Sequence, residues 1–288
     1  MNIEQNILQF ASSGTDAGYI DLPRALSAVN GKSIAQTKRH DGKYKPLGYM
    51  IRVRALGGSI QVDTLNCGYP TRNSVVLTGA ARDAMLKSAG ISRSNLESYQ
   101  KELRIVMDGT MDGGGSNIFF PGATDDGTSS GGWGEALTYD YTKLVINRPD
   151  DAADGITKSL AMLGTQSASE DDWDADGKFF VVDNWLKFRH SFTPSATADD
   201  IDNNVFSWAM QQGETAGDII DMVDDSQDDK PYDLSEFTTQ TQMTLVSPSV
   251  GNPVTPVICA PLGLLKITPQ SGTATCVWEI EVVGVTEL

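Results

Sequence analysis

The sequence predicts a mainly β protein built from two consecutive β-sandwiches, with short helices in the long connections between strands. About a dozen short segments alternate apolar and polar residues, which is the pattern of half-buried strands. The 28 Gly and 12 Pro in 288 residues supply the turns between them. Two eight-stranded sandwiches fit this number of strands and this length. We therefore expect an N-terminal arm over 1–18 with an amphipathic turn at Ile3–Phe10, a first sandwich over 19–149 and a second over 150–288.

In the first half, residues Tyr49–Leu65 predict two strands that pair as a hairpin. Apolar and polar side chains alternate on both sides of Gly57-Gly58. Two adjacent glycines accommodate the positive φ angles of a tight hairpin turn. The elements predicted next are a helix over Gly79–Ala89 capped by Gly90, a short helix from Ser94, a strand over Leu103–Met107, a long loop over 108–135 and a strand over Tyr139–Ile146.

In the second half, the clearest strand is Ala274–Val282. Its residues Cys276, Trp278 and Ile280 face one way, and Glu279 and Glu281 face the other. Cys276 is expected to be a small buried core residue. An acidic tract at Asp218–Glu236 is expected to be a second exposed loop. The other predicted elements are helices over Ile156–Leu163 and Asn204–Gln212 and strands over Phe179–Val182, Leu186–Phe192, Thr239–Leu245, Val257–Ala260 and Leu262–Thr268.

The net charge of −16 is divided unevenly along the chain. Residues 1–104 carry +6 and residues 105–288 carry −22. A protein that neutralises duplex phosphates normally has a basic patch or arm, and none this strong is present. The basic run is either a solvated face or a surface for anionic lipid or packaged nucleic acid. Its members are Lys32, Lys38, Arg39, Lys43, Lys45, Arg52 and Arg54.

Residues with catalytic chemistry are scarce, so we expect a protein that is not an enzyme. The two histidines, His40 and His190, are far from each other and from the three cysteines, which argues against a histidine zinc site. No nucleophile elbow, phosphate-binding loop or dinucleotide fingerprint is present in the sequence. The odd number of cysteines does not suggest a disulfide framework, and no segment has the length and apolarity of a signal peptide or membrane span.

One acidic motif has the spacing of a calcium-binding loop. Carboxylates at its first, third, fifth and twelfth positions and a backbone carbonyl at its seventh would supply oxygen ligands, and Gly177 would permit the sharp turn. A solvated acidic turn before the next strand is the commoner outcome in so acidic a chain. Ca²⁺ is the one cofactor that the sequence suggests, and none is expected to be required. The five candidate ligands are Asp172, Asp174, Asp176, Lys178 and Asp183.

Several segments together resemble a known family. The segments are Tyr49–Leu65, Pro70–Asn73, the helix over Ala80–Ala89, Leu103–Met107, Val257–Leu265 and Val277–Val282. Their arrangement resembles the major capsid proteins of tailless, often membrane-containing icosahedral phages of the double jelly-roll lineage, especially those with small DNA genomes. The resemblance covers about half of the chain and implies a double jelly roll whose trimers form pseudo-hexagonal capsomers.

The resemblance implies a shell subunit made in the host cytoplasm and assembled into the virion. Its expected partners are further copies of itself, penton or minor capsid proteins and the lipid of an internal membrane, without sequence-specific binding of nucleic acid. The alternative is a calcium-dependent carbohydrate-binding or adhesion module, in which Trp133, Trp173 and Trp208 would stack on sugars. Packing residues are the more common role for such tryptophans.

Overall fold

The computed structural model describes residues 4–12, 16–96, 101–111, 118–122, 141–146, 156–165, 177–191, 239–246, 255–270 and 275–288. Within these ranges the helices are α1 Leu22–Asn30, α2 Tyr69–Ser88 and α3 Val181–Ser191, with a 3-10 turn at Arg93–Asn95. The strands there are β1 Ile7–Ser12, β2 Gly18–Asp21, β3 Thr37–His40, β4 Lys43–Gly57, β5 Ser59–Thr64, β6 Val106–Asp108, β7 Lys143–Ile146, β8 Ile156–Leu163, β9 Lys178–Phe180, β10 Gln240–Val246, β11 Ile258–Pro261, β12 Leu264–Pro269 and β13 Cys276–Glu287.

Two antiparallel sheets share one hydrophobic core and form a sandwich, which confirms the mainly β class. The first sheet has the order β1-β13-β4-β11, with β3 beside β4, and the second has the order β10-β5-β12-β2. The shared core contains Phe10 and Trp278 from the first sheet and Val62 and Ile267 from the second, each at most 1% exposed. Helix α1 adds Leu26 to this core.

Both sheets combine strands from the two predicted halves. In the first sheet, β1 and β4 pair with β13, and in the second, β5 pairs with β10 and β12. Among the described strands, a boundary at residue 149 therefore does not separate one sandwich from another, and the double jelly roll is not confirmed. Alternation along a strand reveals which side chains face a core, but it does not reveal which strand lies alongside.

The predicted hairpin at Tyr49–Leu65 is wrong in its pairing, although both of its strands exist. Strand β4 belongs to the first sheet and β5 to the second. The chain therefore passes from one sheet to the other at Gly58 (φ 73°) instead of folding back within one sheet. Strands β11 and β12 cross in the same way through Leu262 (φ 58°) and Gly263 (φ 70°). A tight glycine turn suits both geometries, and the partners β13 and β11 occupy the two sides of β4.

The N-terminal residues form a sheet strand rather than the expected amphipathic turn. Strand β1 pairs with β13 so that Leu8 and Phe10 face the core while Ile7 remains 46% exposed. The period is therefore two rather than that of a helix. The segment is part of the sandwich, and only the long-range partner β13 could reveal this.

Between β5 and β10 lies a smaller mixed sheet with its own core. Strand β8 pairs in parallel with β6 and β9 and antiparallel with β7. Its core includes Val106, Leu160 and Phe179, all 0% exposed. Helices α2 and α3 pack beside it, with Tyr69 edge-on to Trp185 at a centroid distance of 5.8 Å.

In this region one predicted helix is a strand, and one predicted strand is part of a helix. Residues 156–163, predicted as a helix, form the strand β8, because three neighbouring strands supply its hydrogen-bond partners. Residues 186–191, predicted as part of a strand, belong to α3, which begins at Val181 and so ends the predicted strand Phe179–Val182 at Phe180. Asp183 and Lys187 form an ion pair one helical turn apart in α3. Short alternating runs are ambiguous between the two periods, and tertiary contacts decided both.

The remaining elements follow the sequence more closely. The helix predicted at Gly79–Ala89 is the C-terminal half of α2, which begins earlier at Tyr69-Pro70, and Gly90 follows it with φ 69°. The helix predicted from Ser94 is a single 3-10 turn. Strands β10 to β12 are confirmed within one or two residues. Strand β13 is confirmed from Cys276, which is buried, but it extends to Glu287, five residues beyond the predicted end. The predicted helix Asn204–Gln212 and the tract Asp218–Glu236 lie outside the described residues.

Candidate functional site

Three of the five candidate calcium ligands, Asp172, Asp174 and Asp176, lie outside the described residues. Lys178 begins β9, and Asp183 lies in the first turn of α3 with 1% exposure. Over the described residues, no group of three or more His, Cys, Asp or Glu side chains is arranged to hold a metal ion. The metal prediction therefore stays a prediction.

The described end of this loop has a definite local structure. Its seventh to ninth positions form β9, and its last three positions form the first turn of α3. A calcium loop of this type leads into a helix, so the change from strand to helix at Val181 is compatible with the motif. Asp183 Oδ2 lies 3.2 Å from Lys187 Nζ. A metal ion at the twelfth position would have to compete with this buried ion pair.

The basic run of the first half is largely neutralised by acidic side chains. Arg52 and Arg54 on β4 stand opposite Glu281 and Glu279 on β13, with N–O distances of 3.5 and 3.4 Å. These pairs form a ladder of alternating charge on the outer face of the first sheet. The remaining contacts are Lys38 and Lys45 with Glu287, Lys32 with Glu4, and Arg39 with Asp83.

This pairing favours the solvated-face interpretation of the basic run. Exposed ion pairs each contribute little to stability, at most about 1 kcal/mol, but they cancel the field that would attract phosphates. Lys38 Nζ donates a hydrogen bond of 2.8 Å to Glu287, and this contact is the main reason why the pKa of Glu287 is lowered. Asp83 also forms an ion pair with Arg93, with an N–O distance of 3.3 Å. Both residues line a surface depression of about 430 Å³.

A buried polar cluster at Asp21 joins the sandwich to the smaller sheet. Asp21 is the last residue of β2, and its side chain caps α1 by accepting a hydrogen bond from the Arg24 backbone N–H at 3.0 Å. It also accepts a hydrogen bond from Gln36 Nε2 at 3.1 Å. The Tyr141 hydroxyl donates to the same carboxylate at 3.2 Å, and Gln36 Oε1 accepts the Ile105 N–H at 2.6 Å. The cluster thus links both parts of the molecule through hydrogen bonds.

Complete burial raises the pKa of Asp21 to about 6. Desolvation is the largest cause, because a charge in an apolar interior loses its hydration. The hydrogen bond from the Arg24 backbone and the Arg24 charge act in the opposite direction. A raised acid pKa is a common sign of an active site, but here Asp21 contacts groups of the protein itself. The cluster therefore has the geometry of a structural junction.

This junction was not predicted from the sequence, although the start of α1 has a recognisable local pattern. Asp21-Leu22-Pro23 places a capping carboxylate before a proline in the first helical turn, which is a typical helix start. The partners Gln36 and Tyr141 lie 15 and 120 residues away along the chain. Nothing in the sequence connects them to Asp21.

A groove of about 380 Å³ lies beside the edge strand β1. Glu279 is the one charged side chain among its lining residues, which also include Gln5, Ile7 and Val29. Catalytic pockets normally bring together several titratable groups with shifted pKa values. This groove lacks such a group of side chains among the described residues.

The tryptophans proposed as sugar-stacking residues, Trp133, Trp173 and Trp208, lie outside the described residues. The described Trp185 and Trp278 are buried, at 7% and 0% exposure, and they pack in the two cores. Among the helices that the structure describes, none is long and apolar enough to span a membrane.

Comparisons of the chain with protein families, with curated proteins and with solved structures produced no match.

Proposed function

We propose that this protein is a structural shell subunit of an icosahedral virion, built on a jelly-roll frame. The observation that carries the proposal is the order of eight strands in the two sheets of the sandwich. In a jelly roll whose strands are lettered B to I along the chain, one sheet has the order B-I-D-G and the other C-H-E-F. Jelly rolls of this kind are the usual domains of viral capsids, and they also occur in lectins and cupins.

Eight of the nine strands in the two sheets match this order when they are lettered in chain order, and the ninth, β3, is an additional strand beside β4. The letters B, C, D, E, F, G, H and I fall on β1, β2, β4, β5, β10, β11, β12 and β13. The first sheet then reads B-I-D-G and the second, from β2 to β10, reads C-H-E-F. Every neighbouring pair in these two sheets is antiparallel.

The smaller sheet is then an insertion between strands E and F. It begins after β5 and ends before β10, so it interrupts the frame at one place and leaves the strand order intact. Connections between the strands of a rigid scaffold are the usual carriers of interaction surfaces. The described strands supply one such set of eight, so we propose a frame of one jelly roll with an insertion, rather than the two consecutive jelly rolls expected from the resemblance.

Charge and site chemistry support a structural role. The paired ladder on the outer face of the first sheet, Arg52–Glu281 and Arg54–Glu279, presents alternating charge rather than a basic surface. Such a face suits contact with other protein subunits better than direct contact with packaged nucleic acid. We propose trimers and neighbouring capsomers as the principal partners, with penton or minor capsid proteins and internal membrane lipid as further ones.

The carbohydrate-binding alternative shares the jelly-roll frame but lacks a described feature of its own. Its tryptophans fall outside the described residues, and its calcium ligands are only partly inside them. We therefore retain the shell subunit as the single proposed function.

The decisive experiment measures the assembly state of the purified protein. Sedimentation velocity over a wide range of concentrations is combined with electron microscopy of the same samples. We expect a stable trimer, capsomers or closed shells, with the jelly-roll frame recognisable in the averaged particles. A monodisperse monomer at the highest concentration would overturn the proposal. Binding to a glycan array by that monomer would instead favour the carbohydrate-binding class.

A further inference from the structure

Two cysteines that are 192 residues apart in sequence lie together at one edge of the sandwich. Cys67 is exposed on the segment between β5 and α2, and Cys259 is partly buried on β11, the edge strand of the first sheet. The Cys67 Sγ lies 3.9 Å from the Cys259 backbone oxygen. This contact brings the Cys67 side chain against the position of Cys259 on β11.

The third cysteine has a different environment. Cys276 is 0% exposed within the sandwich core, and its Sγ contacts the Ser59 backbone oxygen at 3.6 Å. The chain therefore contains one accessible pair of thiols and one enclosed thiol. Cys276 serves as an internal reference for any reaction of the pair.

We propose that Cys67 and Cys259 form a redox-active dithiol, which is oxidised to an intramolecular disulfide by low-molecular-weight disulfides. The inference is independent of the proposed shell function, because it rests on the proximity and exposure of these two cysteines and not on the strand order.

The reaction proceeds by two exchange steps. The Cys67 thiolate attacks one sulfur of the small disulfide, forms a mixed disulfide and releases one small thiolate, which takes up a proton. Cys259 then loses its proton and attacks the Cys67 sulfur, releasing the second small thiolate. The two protein thiols lose two electrons and two protons, and the small disulfide becomes two thiols.

The roles of the two cysteines follow from their surroundings. Cys67 is the exposed partner, so the small disulfide reaches it first. The neighbouring Cys259 side chain lowers the pKa of the Cys67 thiol, because it favours the thiolate. The same contact, together with burial, raises the pKa of Cys259. Cys67 is therefore the attacking residue, and Cys259 is the residue that resolves the mixed disulfide.

The bond would fasten the start of α2 to the edge of the sandwich. Cys67 directly precedes Gly68, the N-terminal cap of α2, and Cys259 pairs with Met50 on β4. A cross-link between distant positions restricts the unfolded chain most strongly. The oxidised protein should therefore melt at a temperature higher by roughly 5–10 °C than the reduced protein.

The test treats the reduced full-length protein with oxidised glutathione and maps its peptides without reduction by mass spectrometry. We expect a Cys67–Cys259 cross-link, the loss of two of the three free thiols, and reversal by dithiothreitol. Cys276→Ser should leave the reaction unchanged. Cys67→Ser should abolish it, and Cys259→Ser should stop it at glutathione bound to Cys67.

Two results would overturn the proposal. One is a lasting glutathione adduct on Cys67 in the wild-type chain, which would show that Cys259 cannot reach the mixed disulfide. The other is no faster modification of Cys67 than of Cys276. Both are measured on the wild-type protein, so they do not depend on whether any variant folds.

Discussion

The ring of Phe10 on β1 lies nearly parallel to the indole of Trp278 on β13, with centroids 6.1 Å apart and planes inclined by 13°. Phe119, from the connection after the smaller sheet's first strand, meets the same indole edge-on at 5.1 Å. Trp278 thus binds the N-terminal strand, the C-terminal strand and the insertion into one core. Aromatic contacts of this kind add to the free energy of simple burial.

The first prediction concerns this aromatic contact. Phe10→Ala should lower the free energy of unfolding by about 3–5 kcal/mol, because it leaves a cavity beside Trp278. The matched control is Ile7→Ala on the same strand, since Ile7 is 46% exposed and should change stability by less than about 0.5 kcal/mol. Urea unfolding followed by tryptophan fluorescence measures both. Equal effects of the two changes would show that β1 is not seated in the core.

The second prediction concerns the packing of α2 on β4. A Cβ atom added at Gly79 would lie 2.2 Å from Tyr44 Cδ2, and Tyr44 is 1% exposed. Replacing a glycine inside a helix by alanine normally adds roughly 0.5–1 kcal/mol of stability. Here overpacking should outweigh that gain and lower stability by about 1–3 kcal/mol.

Gly284→Ala on β13 provides the control for Gly79→Ala. A Cβ at Gly284 would meet no atom within 4 Å, so we expect a nearly neutral change. Thermal unfolding of the two variants under identical conditions makes the comparison. A Gly79→Ala variant more stable than the wild type would mean that α2 does not approach Tyr44 as closely as described.

The third prediction concerns the pH dependence of stability that arises from Asp21. The folded-state pKa of about 6 lies above the ordinary value of 3.8, so the folded protein binds this proton more tightly. The contribution of Asp21 is therefore largest below about pH 4 and is lost as the pH rises through 6. The size of the shift corresponds to roughly 3 kcal/mol.

Asp21→Asn isolates this contribution, because asparagine can still cap α1 but cannot titrate. The stability of the wild type relative to Asp21→Asn should fall by roughly 3 kcal/mol between pH 4 and pH 7. Denaturant unfolding at several pH values measures the difference. Asp41→Asn, whose side chain is 82% exposed, controls for the removal of one carboxylate. A pH-independent difference would contradict the raised pKa.

The fourth prediction concerns divalent ions and assembly. Residues 105–288 carry −22, so close packing of subunits brings like charges together within a Debye length of about 8–10 Å. Bound Ca²⁺ would convert that repulsion into bridging. We expect a chelator to lower the melting temperature of assembled particles more than that of the isolated subunit, at constant ionic strength.

The double variant Asp174→Ala, Asp176→Ala should reduce the chelator effect if the acidic loop is the site. Lys178 in β9 and Asp183 in α3 are unchanged in this variant. Equal melting temperatures of particles with and without the chelator would contradict the calcium prediction. They would not bear on the proposed shell function.

Local residue patterns were enough to identify the segments that have a strongly buried face. Strand β13 was readable because Cys276, Trp278, Ile280 and Val282 occupy every second position, with Glu279 and Glu281 between them. The C-terminal half of α2 was readable because Gly90 follows its end, where a glycine typically stops a helix. Local physics suffices in such cases, since a long periodic pattern leaves one conformation that buries all of its apolar residues.

Which strands pair, and where each segment packs, depends on contacts between residues that are far apart in sequence. The glycine turn after Gly57 allows a hairpin or a crossing between sheets, and the long-range partners of β4 selected the crossing. The segments Ile156–Leu163 and Leu186–Ser191 were too short for their periods to be unambiguous, so neighbouring strands and helices chose between strand and helix. The Asp21 junction and the Cys67–Cys259 pair also join residues far apart in sequence, because a folded core brings together groups that no local pattern relates.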